Sequence, residues 1–209
     1  PGNGSRTADV MFIGEGPGYY EDQQGVPFVG RAGNLLNEML DAIGIKREDV
    51  FVTNMIKCRA PNNRDPLPAE IKACAPYLDR QIEIISPKVI VTLGRFSTGK
   101  FLPDQPIGKV RGKPSQWNGI TVYPVYHPAA ALRNSNLRAI LERDLQKLPE
   151  LLGMSSAAAP IRPARPQPQE KQLGFMDNPS LEPEPSITGT VQPETPDDTP
   201  KEPTQLDLF

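Results

Sequence analysis

The chain carries a glycine-rich turn, Gly14-Glu15-Gly16-Pro17-Gly18, directly after a run of four apolar residues. The apolar run at residues 10–13 is typical of a buried strand, so the turn stands at a strand end. Three glycines and a proline within five residues allow the main chain to lie close against a flat or charged ligand. Glu15 is then the only functional side chain that the turn can offer. We therefore expect a ligand site built around this turn.

The rest of the chain alternates between predicted strands and predicted helices. Strands are predicted at residues 9–13, 50–53, 89–93 and 120–126, and helices at residues 32–43, 71–85, 95–102 and 137–152, with loops at residues 19–30 and 57–68. Strands that alternate with helices of this length favour a parallel sheet covered on both faces. The predicted fold class is α/β, with three α/β/α layers around a central, mainly parallel four-stranded sheet.

Four unusual residues come immediately after the predicted strands. Glu15, Asn54, Gly94 and His127 each follow a different strand. Because ligands bind at the carboxyl ends of strands in open α/β sheets, we expect these residues to meet at one rim. The sequence therefore predicts a single cleft.

The candidate side chains each have a structural alternative. His127 is the only histidine, and a lone histidine is more often structural, although its place at a strand end favours a function. Asn54 is either a loop cap or a donor and acceptor pair suited to a pyrimidine edge. Phe28 is either part of the core or a flat face on which a base can stack. The residues alone leave these alternatives open.

Composition divides the chain near Ser155 and excludes some functions. Residues 155–209 hold 11 of the 25 prolines, with nine acidic and four basic residues, which predicts a disordered linker. Residues 1–154 hold 16 acidic and 19 basic residues, a net charge of +3 that permits a polyanionic partner. No apolar stretch approaches the roughly 20 residues that cross a bilayer. The turn also lacks the phosphate-loop and dinucleotide patterns, and no nucleophilic serine elbow is present.

The two cysteines, Cys58 and Cys74, are the whole thiol content of the chain. Their spacing alone favours two unpaired thiols in a cytoplasmic protein.

Taken together, the ordered motifs resemble those of the iron-sulfur uracil-DNA glycosylases of bacteria and archaea, the group called family four. Any one motif is weak, whereas the ordered set covers nearly all of residues 9–150 and is highly specific. The matching segments are the glycine turn, Pro27-Phe28-Val29-Gly30, Thr53-Asn54-Met55-Ile56-Lys57-Cys58-Arg59, Asp65-Pro66-Leu67-Pro68, Cys74, Val91-Thr92-Leu93-Gly94, His127-Pro128 and Leu132-Arg133.

The resemblance implies hydrolysis of the bond between uracil and deoxyribose in DNA, on a base extruded from the helix. It implies that His127 donates to the departing base and that Glu15 helps to orient water, Gly16 standing where the better-known uracil glycosylases have an aspartate. The implied substrate-binding residues are Gly14, Glu15, Gly16, Phe28, Asn54 and His127. A catalytically silent DNA-binding or clamp-associated accessory module of the same fold is the alternative.

The resemblance also implies a [4Fe-4S] cluster, with Cys58 and Cys74 as two of its four thiolate ligands. The other two are expected from a Cys-x-x-Cys pair upstream of Pro1, and the cluster is expected to hold residues 57–67 against the core. By the same resemblance, Leu132 fills the gap left by the extruded base and Arg133 contacts phosphate; the alternative for this segment is a simple loop before a helix. Lys57, Arg59 and Arg64 are either further phosphate contacts or a solvated loop face.

The last five residues, Gln205-Leu206-Asp207-Leu208-Phe209, resemble the pentapeptide by which repair proteins bind the bacterial sliding clamp. Gln205, Leu206, Leu208 and Phe209 are the expected contacts, and chance apolar composition is the alternative. Residues 155–204 would then be a tether that raises local concentration on DNA. We expect a monomer that acts on single- or double-stranded uracil-containing DNA, associated with the nucleoid and not with a membrane.

Overall fold

The computed structural model describes residues 2–154, and its sheet contains six strands. They are β1 (Asn3–Gly4), β2 (Val10–Gly14), β3 (Phe51–Asn54), β4 (Val89–Leu93), β5 (Ser115–Trp117) and β6 (Ile120–Val125). Their order across the sheet is β1-β3-β2-β4-β6-β5. The four central strands are parallel, while β1 and β5 pair antiparallel at the two edges. The prediction of an α/β fold on four mainly parallel strands is confirmed.

The two edge strands were not predicted. Runs of two and three residues show no measurable hydrophobic periodicity. One signal was available, however, because β5 and β6 are joined through Asn118-Gly119. Both residues have positive φ, 48° and 80°. An Asn-Gly pair in this conformation is a strong indicator of a two-residue hairpin.

Helices cover both faces of the sheet. They are α1 (Tyr19–Gln24), α2 (Arg31–Ala42), α3 (Pro68–Ile85), α4 (Arg95–Phe101), α5 (Ile107–Val110), α6 (Pro128–Ala131), α7 (Ser135–Leu145) and α8 (Leu148–Leu151). Alternation along β2 sends Val10 and Phe12 into the core beneath α2 and α7, and Met11 and Ile13 into the core beneath α3 and α4. The layers are therefore α/β/α. None of the helices in residues 2–154 combines the length and hydropathy needed to cross a bilayer.

Two predicted segments differ from the structure. The predicted loop at residues 19–30 contains α1, a short helix with no buried residue that Gly25 ends at a φ of 69°. The predicted helix at residues 137–152 is two helices, α7 and α8. It begins earlier because the Asn134 side chain accepts from the main-chain N–H groups of Asn136 and Leu137. α8 starts anew with Pro149 in its first turn.

Gly33 of α2 lies against the loop that carries Phe28. A Cβ at Gly33 would lie 1.8 Å from the Phe28 carbonyl oxygen, so a larger residue must push this loop away. We expect Gly33→Ala to destabilise the fold by about 1 to 3 kcal/mol, as overpacking does elsewhere, and to displace Phe28. Thermal unfolding measures the effect. Gly99→Ala in α4 is the matched control, because a Cβ there meets nothing within 4 Å. Equal unfolding temperatures for the two variants would contradict the prediction.

Candidate functional site

The carboxyl ends of the parallel strands open onto a cleft of about 550 Å³, within the usual size of a small-ligand pocket. The structure brings Glu15, Asn54 and His127 to this one cleft, as the strand-end argument predicted. Phe28 also lines it. Its remaining walls include Gly16, Pro17, Gly18, Glu21, Ile56, Ala60, Asn63, Arg64, Arg95, Ala129, Ala130 and Arg133.

Two glycines allow the cleft side chains to converge. A Cβ at Gly14 would lie 2.4 Å from Oδ1 of Asn54 and 2.7 Å from Cζ of Phe28, so only glycine lets both side chains approach this point. Gly94, at the end of β4, has a φ of 91° and lies beneath His127, where an added Cβ would be 3.2 Å from the histidine Cβ. Gly94 thus combines a positive φ with an extended ψ, a conformation that other residues would adopt only with strain.

Asn54 ends β3 and pairs in parallel register with Gly14. The residue is 5 % exposed, and its Oδ1 atom is buried without a hydrogen-bond partner among the described residues. A buried acceptor without a donor costs about 1 to 3 kcal/mol. This oxygen lies on a cleft-lining side chain, so a ligand N–H can supply the missing donor.

His127 precedes α6 and is held in one tautomer. Its Nδ1 accepts a hydrogen bond from the main-chain N–H of Ala129 at 3.0 Å, so a neutral ring carries its proton on Nε2. Burial lowers the pKa of His127 to about 4, against a smaller opposing effect of Glu21. The ring also stacks on Phe28, with centroids 5.7 Å apart and planes at 28°. His127 is therefore a neutral N–H donor near neutral pH.

The same pKa shift has a consequence for stability. As the pH falls below about 6.5, the unfolded chain binds a proton on this histidine that the folded chain does not. The contribution of His127 therefore lowers stability as the pH falls from 6.5 towards about 4.

The glycine turn offers one carboxyl group and no room for a second. Burial raises the pKa of Glu15, Asp65 raises it further, and Arg95 lowers it. A Cβ at Gly16 would lie 2.7 Å from Cγ1 of Ile56, so that apolar side chain already fills the space. Glu15 is thus the acidic side chain that this turn presents to the cleft.

Among the charged residues that line the cleft, sequence reasoning missed two, Glu21 and Arg95. Glu21 accepts a hydrogen bond from the main-chain N–H of Gly30 at 2.9 Å, which ties α1 to the loop carrying Phe28. Phe28 has a φ of 58°, an unusual conformation for an aromatic residue, so this loop needs such support. Arg95 pairs with Asp65 at 2.5 Å and joins α4 to residues 57–67. No periodicity marks either residue; Glu21 lay in a segment predicted as loop.

Lys57 is directed into the protein. Its ammonium donates to Oγ1 of Thr53 at 3.0 Å, to the carbonyl of Asn54 at 2.7 Å and to Oε1 of Gln81 at 2.7 Å. Burial lowers its pKa to about 8, with Cys74 opposing the shift. Three acceptors use its three donors. The Lys57 ammonium is therefore not free to contact phosphate as suggested, and it instead fixes the main chain at Asn54.

The other side chains suggested as DNA contacts differ in whether they are already hydrogen-bonded within the protein. Arg59 donates from Nε to Oδ1 of Asn63 at 2.7 Å, and Arg64 forms two hydrogen bonds with Glu70 at 2.9 and 2.7 Å. Arg133 lines the cleft and is exposed, and its guanidinium forms no hydrogen bond or ion pair with the described residues. Leu132 precedes it and is 36 % exposed. Arg133 is thus the freest cation at the rim.

The two thiols fit part of a cluster site only. Cys58 is exposed and Cys74 is partly exposed. Sγ of Cys74 accepts from the main-chain N–H of Lys57 at 3.3 Å, which places it beside the residue preceding Cys58. No group of three or more His, Cys, Asp or Glu side chains within residues 2–154 is arranged to hold a metal ion. A [4Fe-4S] cluster needs about four thiolates, so these two do not complete one.

Comparison with known proteins identifies the family of this chain. The model of the uracil DNA glycosylase superfamily matches residues 1–148. A type-4 uracil-DNA glycosylase of Sulfurisphaera tokodaii is 55% identical over 161 residues, covering 72% of this chain and 73% of the relative. The type-4 enzymes of Archaeoglobus fulgidus and Thermotoga maritima are each 48% identical, covering 73% and 70% of this chain and 81% and 79% of the relatives. The resemblance to family four is confirmed, and the chain belongs to the uracil-DNA glycosylase superfamily.

Proposed function

We propose that this protein hydrolyses the N-glycosidic bond of extruded deoxyuridine in DNA and leaves an abasic site for repair. The observation that carries this proposal is the pairing, in one cleft, of an unpartnered buried amide oxygen with a neutral histidine donor. The three relatives compared above are each named as type-4 uracil-DNA glycosylases, and these names support the same substrate.

Base recognition follows from the chemistry of Asn54. Oδ1 accepts the N3–H of uracil, while the amide N–H donates to the adjacent uracil oxygen. Cytosine reverses this pattern with an acceptor at N3 and an exocyclic amine. A buried polar site rejects such a base strongly, because the wrong partner leaves groups unpaired. Phe28 supplies the stacking face, and the bare main chain of Gly14 and Gly16 lets the base approach the floor.

Bond cleavage leaves positive charge on the sugar and negative charge on the departing uracil, chiefly on its oxygens. The bonding pair leaves with the base, and Nε2–H of His127 donates to the developing oxyanion. Water then adds to the anomeric carbon and loses a proton, while the uracil anion is protonated from solvent. Glu15 orients this water from the glycine turn. One positioned donor and one held water are sufficient for this chemistry.

The DNA surface that we propose runs along the rim of the cleft. Arg133 contacts phosphate and Leu132 fills the space left by the extruded base, a known use of apolar side chains in distorted duplexes. Arg59 and Arg64, within residues 57–67, add positive charge to this surface. The small net positive charge of residues 1–154 is consistent with this role.

Cys58 and Cys74 are proposed as half of a four-thiolate site. A bound cluster would supply structural support for residues 57–67 rather than chemistry on the substrate. The hydrogen bond from the main-chain N–H of Lys57 to the Cys74 sulfur is of a kind that stabilises a thiolate ligand. No catalytic step depends on it.

The proposed sliding-clamp contacts, Gln205, Leu206, Leu208 and Phe209, lie outside the described residues, as does the proposed linker at 155–204. Deleting residues 205–209 should abolish clamp binding and leave uracil release from naked oligonucleotides unchanged, because the pentapeptide is separate in sequence from the cleft residues. Surface plasmon resonance on immobilised clamp measures the first effect. Equal affinity with and without the pentapeptide would refute the clamp proposal.

A uracil-release assay on single-stranded DNA tests the enzymatic proposal. The protein should produce abasic sites from a uracil oligonucleotide and none from the matched cytosine oligonucleotide. A protein that binds DNA but produces no abasic site would support the accessory-module alternative.

A further inference from the structure

The rim of the cleft carries two adjacent exposed tyrosines. Tyr19 and Tyr20, the first two residues of α1, are 54% and 57% exposed. Their rings contact each other edge to face, with centroids 5.4 Å apart and planes at 82°. Contiguous exposed apolar groups beside a groove are a feature of interaction sites.

This pair is continuous with the cleft. Tyr19 follows Gly18, which lines the cleft, and the guanidinium of Arg59 lies over the Tyr19 ring at 5.3 Å from its centroid. Arg59 is in turn hydrogen-bonded to Asn63, another cleft residue. The pair is therefore close enough to the cleft to meet a nucleotide next to one bound there.

The chemistry of the pair favours bases over phosphates. The helix bearing the two rings also carries Glu21 and Asp22 and has no basic residue, so phosphate is repelled there. The guanidinium of Arg59 lies over the Tyr19 ring and donates to Asn63, so it helps to hold that ring in place. Aromatic faces stack on any base, and only an unpaired base offers its own face.

We propose that Tyr19 and Tyr20 form a stacking platform for an unpaired base that neighbours the extruded uridine in single-stranded DNA. This inference rests on the proposed function, since that function places the uridine in the cleft. The platform increases affinity for single strands and leaves duplex substrates unaffected, because flanking bases in a duplex remain stacked on their own neighbours.

Binding measurements on short single-stranded oligonucleotides without uracil test the platform separately from catalysis. Tyr19→Ala/Tyr20→Ala should bind about tenfold more weakly than the parent protein, and Tyr19→Phe/Tyr20→Phe should retain the affinity. Tyr77→Ala is the matched control, because Tyr77 is a 66% exposed tyrosine on α3 and not on α1, which follows the cleft residue Gly18. Unfolding temperatures confirm that all variants are folded.

Abasic spacers in the oligonucleotide complete a double-mutant cycle. Replacing its bases with tetrahydrofuran spacers should weaken binding to the parent protein and have little effect on the double alanine variant. The platform proposal would be overturned if the spacers weakened binding equally in both proteins, or if the double alanine variant bound as tightly as the parent protein. So would sedimentation showing that the two tyrosines join two copies of the chain. Absence of uracil release by the parent protein would refute the proposed function while leaving these binding results interpretable.

Discussion

Replacing His127 with alanine is expected to lower the rate of uracil release by about 100- to 1,000-fold, the usual cost of removing one preorganised oxyanion donor. The ring is fixed by its hydrogen bond from Ala129 and by its stacking on Phe28, so its Nε2–H needs no reorganisation during the reaction. Because the hydrogen bond from Nε2–H to the base strengthens only as charge develops on the base, kcat should fall in the variant and KM should change little. Single-turnover release of uracil measures the chemical step.

The pH profile separates this role from a structural one. With a pKa near 4, His127 stays neutral in acid, so its contribution to the rate should hold from about pH 8 down to about pH 5, and a fall in parent activity within this range is assigned to Glu15, whose pKa burial raises. A histidine of ordinary pKa would change its protonation state within this range. His127→Gln, which keeps an N–H donor, should recover part of the rate lost in the alanine variant. If the alanine variant instead had a higher KM and an unchanged kcat, His127 would only position the substrate.

The grouping of the cleft residues could be predicted because it follows from topology. In a parallel sheet the ends of β2, β3 and β6 meet at one edge, and Glu15, Asn54 and His127 are recognisable there from strand boundaries alone. Phe28 required the family resemblance, since its loop has no periodic pattern. The side-chain positions depend instead on close approaches between residues distant in sequence, such as that of Asn54 and Phe28 to Gly14.

The direction of a charged side chain was beyond prediction from sequence. Lys57 stands in a polar loop beside two arginines, a pattern that fits a phosphate-binding surface equally well. Its ammonium turns inward because Thr53, Gln81 and the Asn54 carbonyl together offer three oxygens that offset the cost of its burial. Those acceptors come from β3 and α3, and their convergence is a tertiary property. The same holds for Glu21, whose partner Gly30 is nine residues away across a turn.

Asn54→Asp is expected to reduce the preference for uracil over cytosine by about 100-fold or more, because the selectivity depends on an amide that both accepts and donates. In the variant, a protonated carboxyl group accepts from cytosine's amine and donates to its N3, while an ionised carboxylate has no donor for the uracil oxygen. The rate on uracil therefore falls, and the rate on cytosine does not fall in proportion. The substitution is nearly isosteric, so the unfolding temperature should drop by only about a few degrees.

Competition between uracil and cytosine oligonucleotides, scored as abasic product from each, gives the ratio directly. Asn37→Asp provides the control, since Asn37 also has a buried, unpartnered Oδ1 but lies in α2 and is not among the residues lining the cleft. If both asparagine variants kept the parent ratio, Asn54 would not be the group that reads the base.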